Sequence, residues 1–264
     1  MLYLAYQNSK PAYLMKFQLK KLAQVDSTND VALEAARSGA ADGLVVWAQR
    51  QTRGRGQKDR AWQSQPGSSL TFSVLYRPTE EELNVLGRFT ALGALAVAQA
   101  IKTRTGFDAQ VKWPNDVLLD GKKICGILAE TDLQADTANA VVVGIGVNLL
   151  PGAFAPNTAM NYPASDVFSE TGFRLDAESW LTAILDEIKT LRRLLPGDTF
   201  IREWNDRLAF KGEVRRVRNH KGETGLFRLL GVSSDGSLRV EDASGQEFTL
   251  QSAEVLSSSS SSAK

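Results

Sequence analysis

The sequence predicts an α+β protein with a mixed or antiparallel sheet, followed by a small all-β unit. Three observations carry this. Strand-like segments come in runs rather than in regular βαβ alternation, which disfavours a doubly wound parallel sheet. Two long segments carry apolar residues at helical spacing. After Lys211-Gly212 the texture changes to short strands, separated by turn residues and spanning roughly 45 residues, as in a small barrel.

Taken in order, residues 17–25 (FQLKKLAQV) read as a strand. Asp26 or Ser27 then caps a helix that carries Val31, Ala32, Ala35 and Ala36 and stops at Gly39. Residues 44–48 (LVVWA) form a buried strand, and residues 50–66, dense in Gly and Arg, show no periodicity. Residues 69–76 (SLTFSVLY) are the next strand. Thr79 opens one long helix through Glu80, Glu81 and Glu82, whose acids suit a helix N-terminus. Its wide apolar face, from Leu83 and Phe89 to Ile101, predicts a central buried helix. Short strands at 111–113 and 117–119 flank a Pro-Asn-Asp turn, and Asp120-Gly121 signals a hairpin. Residues 123–131 and 138–147 read as longer strands. Asp176 caps a helix carrying Trp180, Ile184 and Ile188, which Pro196-Gly197 stops, and Asp198 opens another with Phe200, Trp204 and Leu208 on one face. The last part has strands at 214–217, 226–230, 238–240 and 248–250.

This divides the chain into residues 1–210, with 1–15 as a loose N-terminal extension, a small domain at 211–256, and a disordered serine-rich tail at 257–264. Met15-Lys16 offers a second start. The 264 residues are 43% hydrophobic and 23% charged, ordinary for a globular chain and against disorder. With 31 basic and 30 acidic residues the net charge is +1, which excludes a generally polycationic nucleic-acid binder. The lone Cys125 excludes an intrachain disulfide or a multi-cysteine zinc site and fits a reducing cytosol. The lone His220 leaves little room for a Ser-His-Asp triad, and no apolar run is long enough to span a membrane.

Three segments carry chemistry. From Arg50 to Trp62 there are five basic residues and one acid, a local +4, around Gly54-Arg55-Gly56. Closely spaced glycines let backbone approach an anion, and arginines supply forked donors for phosphate or carboxylate. A flexible basic loop would have the same composition, and the loop lacks a Walker pattern. Val111-Lys-Trp-Pro-Asn-Asp-Val117 puts a lysine, a tryptophan and an acid within five residues. Lys112 at a strand end suits a developing phosphate charge, although Pro-Asn-Asp is equally good turn chemistry. Gly144-Ile-Gly-Val-Asn148 closes an apolar strand, where glycines admit either a ligand or a crossing backbone.

In order and spacing these segments resemble the biotin protein ligase family, in a short form without an N-terminal DNA-binding unit. The match runs through Asp26-Ser-Thr-Asn29, the Gly54-Arg-Gly56 loop ending at Trp62, Lys112-Trp-Pro-Asn-Asp116, Lys123-Ile-Cys-Gly-Ile-Leu-Ala-Glu130 and Gly144-Ile-Gly-Val-Asn148. It covers roughly residues 17–150 strongly and the C-terminal strands more loosely. The resemblance implies a class II synthetase-like catalytic domain followed by an SH3-like barrel. It implies a cytoplasmic enzyme that joins biotin and ATP into biotinyl-5′-AMP and then passes biotin to a lysine of a biotin carboxyl carrier domain. ATP and Mg²⁺ are the implied co-substrate and ion, with no protein-held metal and with neither DNA nor membrane as partner.

By the same resemblance, Ser27, Thr28, Asn29, Gln51, Arg55, Gly56, Gln57 and Lys112 bind biotin. Arg55, Arg60, Trp62, Lys123 and Asn148 bind ATP or the adenylate. Lys112 is the central catalytic lysine, and Asp116 either orients it, receives a proton, or is a turn carboxylate. The family often has arginine where Gln57 stands and glycine where Asp59 stands, and some members carry arginine at Gln251. The alternative is a lipoate ligase or octanoyltransferase of the same catalytic fold, the latter requiring a cysteine nucleophile. Cys125, inside an apolar run, reads as a core residue instead. The strand at 138–147 suits either edge-pairing across a homodimer or a central place in the sheet.

Overall fold

The computed structural model describes residues 15–57, 60–134, 137–154 and 162–257. Its first layer is a seven-stranded sheet: β1 (Gln18–Val25), β2 (Leu44–Gln51), β3 (Ser69–Tyr76), β4 (Gln110–Lys112), β5 (Asp116–Leu119), β6 (Lys122–Gln134) and β7 (Thr137–Asn148), in the order β1-β2-β3-β7-β6-β5-β4. Only β1 and β2 pair in parallel, so the sheet is mixed, as the runs of strand pattern predict. The β7 strand lies between β3 and β6 and has no free edge. Edge-pairing of that strand across a dimer is therefore ruled out. The Asp120-Gly121 turn has φ of 48° and 71°, the left-handed pair that a two-residue hairpin requires.

Helices cover both faces. Helix α1 (Thr28–Arg37) packs Ala32 and Ala36 on Val46, Leu75, Ala140 and Val142. On the other face lies α3 (Arg88–Thr105), from which Gly93 seats against Val143, Ile127 and Ile145. The single helix expected from Thr79 is two. Thr79 and Glu82 form a capping box on α2 (Glu80–Leu83), which ends at Asn84. Three-residue turns (Val85 N–H to Glu82 O, Arg88 N–H to Val85 O) carry the chain to Gly87, a poor helix former, before α3 begins. Two short elements escaped the sequence reading: α4 (Val167–Thr171), capped by Asp166, and a three-residue strand near the C-terminus. Helix α5 (Ala177–Arg192) packs on α3, and α6 (Asp198–Asp206) leads into the second sheet.

That second sheet is antiparallel, with β8 (Val214–Asn219), β9 (Thr224–Val232), β10 (Leu238–Glu241), β11 (Glu247–Leu250) and β12 (Ala253–Val255) in the order β11-β10-β9-β8-β12. It is fastened to the first layer. Trp113 Nε1 donates to Gly236 O (3.0 Å), and Asn205 exchanges two hydrogen bonds with Val232. One hydrophobic cluster continues from α3 into Val217, Leu229 and Val240. Met15, placed in the loose extension by sequence, is instead buried in this cluster, with its sulfur accepting from Arg192 (3.4 Å). The rest of that extension (1–14), Asp59 and residues 258–264 of the serine tail lie outside the described residues.

Candidate functional site

The α1 face of the first sheet carries an open cleft. It is lined by every site residue named from sequence: Ser27, Thr28, Asn29, Gln51, Arg55, Gly56, Gln57, Arg60, Trp62, Lys112, Asp116, Lys123 and Asn148. These come from six separate stretches of chain, so the convergence is a product of the fold. Strand alternation explains it. On β7, Val143, Ile145 and Val147 enter the core, which turns Gly144, Gly146 and Asn148 to the cleft. From Gly144 to Asn148 the cleft floor runs about 13 Å at the usual strand rise.

The glycines are required by what lies on them. A Cβ at Gly144 would sit 2.3 Å from Asn29 Oδ1, and one at Gly146 would sit 2.2 Å from the Trp62 ring. Gly54 likewise leaves no room for a Cβ, which would meet Trp62 O at 2.4 Å. Residues 54–57 and 60–62, aperiodic by sequence, pair as the two arms of a small hairpin: Trp62 N–H donates to Gly54 O (2.9 Å), Arg55 bridges Ala61, and Gly56 N–H donates to Arg60 O (2.6 Å). This hairpin lays Trp62 flat across Gly126 and Gly146. Trp62 Nε1 and Thr71 Oγ1, both beside Gly146, are buried and without a hydrogen-bond partner among the described residues. Orphaned polar atoms in a cleft mark where a ligand's polar group is wanted.

The two ends of the cleft differ in chemistry. At one end Lys112 and Lys123 share a single carboxylate, with Asp116 Oδ2 2.9 Å from Lys112 Nζ and Oδ1 2.6 Å from Lys123 Nζ. All three are held in place by β4, β5 and the start of β6. Burial opposes ionisation of Asp116, but the two ammoniums overcome it and hold its carboxyl below the usual range. A carboxylate so stabilised is a poor proton acceptor, and the geometry favours positioning of Lys112. The Lys112 ammonium also lies 4.9 Å from the ring centroid of Tyr162. Residues 163–165 pair with Lys123 through Lys123 N–H to Pro163 O (2.7 Å), and Asn148 Nδ2 donates to Ser165 O (3.0 Å).

At the other end lie hydroxyls and amides. Ser27 occupies the N-cap position of α1, yet its side chain makes no capping hydrogen bond and faces the cleft. Thr28 N–H donates to Gln51 Oε1 (2.7 Å), which fixes the Gln51 amide. Asn29 Nδ2 donates to Glu130 (2.6 Å) and to Leu128 O (3.2 Å). Arg55, from the hairpin, reaches Asp30 (2.6 Å) and Glu130 (3.0 Å). Arg60 pairs with Glu254 of β12 (2.7 Å), so the second sheet contributes to this wall. Sequence reasoning missed Thr71, Glu130, Tyr162 and Glu254. Of these, Glu130 closed a motif already singled out, and the polar alternation Ser69, Thr71, Ser73 in an apolar strand was a legible signal. Tyr162 and Glu254 carried none, because only tertiary contact brings them here.

Cys125 is fully buried on the core side of β6, and burial pushes its thiol far above the ordinary cysteine range. It does not serve a thiol-nucleophile mechanism. Among the described residues no three His, Cys, Asp or Glu side chains converge to hold a metal, and no helix is long and apolar enough to cross a membrane.

Residues 22–148 match the model of the biotin/lipoate A/B protein ligase family. The biotin–acetyl-CoA-carboxylase ligase of Paracoccus denitrificans is 34% identical over 245 residues, covering 89% of this chain and 98% of that protein. The bifunctional ligase/repressor BirA of Bacillus subtilis is 33% identical over 226 residues, covering 84% of this chain and 68% of that protein. Among solved structures, the biotin protein ligase from Aquifex aeolicus in complex with biotin and ATP superposes with a TM-score of 0.74 at 27% identity. It covers 90% of this chain and 97% of that one.

Proposed function

The chain belongs to the biotin/lipoate A/B protein ligase family and, within it, to the biotin protein ligases; from that premise we propose that it is an ATP-dependent biotin ligase working in two steps. In the first, the biotin carboxylate attacks the α-phosphate of ATP, forming biotinyl-5′-AMP and releasing pyrophosphate. In the second, the amine of one lysine on a biotin carboxyl carrier domain attacks the anhydride carbonyl, forming an amide and releasing AMP. The observation that carries this reading is one cleft with two lysines sharing one carboxylate at one end and a hydroxyl and amide cluster at the other.

Both reactants of the first step are anions, so the site must offset their repulsion before chemistry begins. Lys112, held by Asp116 and by the Tyr162 ring, binds the carboxylate and the α-phosphate and stabilises the charge that develops between them. Lys123 adds a second cation, and Asp116 keeps both ammoniums where one incoming phosphate reaches them. Arg60, Trp62 and Asn148 form the nucleotide wall, and Arg55, Gly56 and Gln57 close over the intermediate and keep water from it. A magnesium ion accompanying the nucleotide would be held mostly by phosphate oxygens and would offset their charge. The ureido ring, with two N–H donors and one carbonyl, lies against Ser27, Thr28, Asn29 and Gln51. On this reading residues 1–210 are the catalytic part, and 211–256 an accessory part that supplies Glu254.

The test is direct. The protein is incubated with ATP, Mg²⁺, biotin and a carboxyl carrier domain, and biotin on the carrier is probed. Biotin-dependent pyrophosphate release without carrier, and labelled carrier with it, are expected. Release driven by lipoate or octanoate instead of biotin would overturn the assignment of substrate.

A further inference from the structure

We infer that Ser73, a side chain outside the cleft, sets the hydrogen-bond polarity of the hydroxyl and amide end and so fits it to a cyclic urea. The inference rests on the biotin reading above. Ser73 is fully buried in β3, opposite Gly144 of β7 and beneath Thr28 and Asn29. Its Oγ lies 2.6 Å from Asn29 Oδ1 and 2.7 Å from Thr28 Oγ1.

Counting protons fixes the direction of every bond. Glu130 and the Leu128 carbonyl accept only, so Asn29 must turn its NH₂ to them (2.6 and 3.2 Å). Its Oδ1 then faces Ser73, in the space left by the missing Cβ of Gly144. Oδ1 accepts only, so the one proton of Ser73 goes there. Ser73 Oγ can therefore only accept from Thr28, which spends its own proton at 2.7 Å in preference to the 3.1 Å contact with Gln51 Oε1. Thr28 Oγ1 is left presenting lone pairs, which suit a ligand N–H. Gln51 Oε1 is meanwhile engaged by Thr28 N–H, which leaves the NH₂ of Gln51, a cleft-lining residue, as donor for a ligand carbonyl. One acceptor beside one donor complements N–H and C=O of a ureido ring. Neither a dithiolane nor an alkyl end has groups to match it, and burying these polar groups against such an end leaves them unpaired. Ser73 is thus a positioning residue, acting through Thr28 and Asn29.

The test uses the full chain, with Ser73→Ala and the shape-conserving Ser73→Cys, assayed by biotin-dependent ATP–pyrophosphate exchange and by calorimetric titration with biotin. Ser73→Ala is expected to raise the KM and Kd for biotin about tenfold, the worth of one hydrogen bond in a buried site. KM for ATP should stay within about twofold and kcat within about threefold. Ser73→Cys should shift in the same direction, by less. An unchanged KM for biotin in both variants overturns the inference. So does a parallel rise in both KM values, which a packing defect would give; if Ser73→Ala does not fold, Ser73→Cys alone decides. Wild-type protein that binds biotin but releases no pyrophosphate would instead sink the ligase reading, and the biotin titrations would still decide the role of Ser73.

Discussion

Two buried charge clusters lie on opposite faces of the same sheet, and they are balanced in opposite senses. Behind it, one guanidinium, Arg192, is shared by two carboxylates: Asp42 at 2.7 Å and Glu82 at 2.9 Å. In front, one carboxylate, Asp116, is shared by two ammoniums. The Arg192 cluster is further closed by the Arg77 carbonyl (3.1 Å) and by the Tyr76 ring 5.0 Å away, and it joins α2, α5 and the β3 end. None of its residues lines the cleft, and all three guanidinium nitrogens are hydrogen-bonded within it. The Asp116 cluster keeps a cation in excess and turns it to a cavity. A buried ion group whose donors are all engaged away from the cleft holds a fold together, whereas one with a cation in excess beside a cleft calls for an anionic ligand.

That contrast can be broken from either side. Lys112→Ala should reduce biotin-dependent pyrophosphate release by about 10²–10³ or more, since removing one donor to a developing charge commonly costs that much. Its thermal midpoint should move little, because Asp116 retains Lys123. Retained release would reject the role given to Lys112. Arg192→Ala should do the reverse. Removing the one cation leaves two buried carboxylates, and stability should fall by about 3–5 kcal/mol by urea titration. Turnover per folded molecule should stay near wild type; equal loss of turnover would mean the two clusters are not separable.

A subtler change is Asp116→Asn, which preserves shape and removes the shared charge. Adenylation should fall by about tenfold, with KM for ATP rising more than KM for biotin. The same variant tests the pH dependence. The folded-state value of Asp116 is depressed below an unfolded value near ~3.9. Its stabilisation is therefore fully present above that pH and is lost as pH falls through the depressed folded value. The gap in urea midpoint between wild type and Asp116→Asn should be constant from pH 7 to about 5 and shrink below about 4; a gap that widens in acid would contradict the assignment. The smallest effect is expected from Cys125→Ser. It should leave adenylation within about twofold and cost about 1–3 kcal/mol for burying a hydroxyl in an apolar site. Complete loss of adenylation in that variant would revive the thiol-nucleophile reading.

The two clusters were not equally legible in sequence. Lys112, Asp116 and Lys123 fall within twelve residues, on strands whose alternation and turn chemistry mark their own ends. Local pattern alone brings them near one another. Arg192, Glu82 and Asp42 are separated by up to 150 positions, and no local pattern pairs them. Glu82 even suits the first turn of a helix, a role it fills through the capping box with Thr79 while also serving Arg192. The sheet class, most strands and the turn signals could be read because they depend on neighbours in the chain. The break between α2 and α3, the place of Met15, and the contributions of Tyr162 and Glu254 depend on contacts across the fold, which no local pattern encodes.

Strand β7 divides its residues between two tasks by simple parity. Odd positions Val143, Ile145 and Val147 pack under α3, and even positions Gly144, Gly146 and Asn148 floor the cleft. No position in this run is spare, and the two sets make incompatible demands, bulk on one side and emptiness on the other. Inserting or deleting one residue here would exchange the sets, placing glycines in the core and branched side chains under Trp62 and Asn29. The strand therefore gives its lineage no small steps in length. The spacing between the two glycines works as a reading frame that the core and the cleft must share.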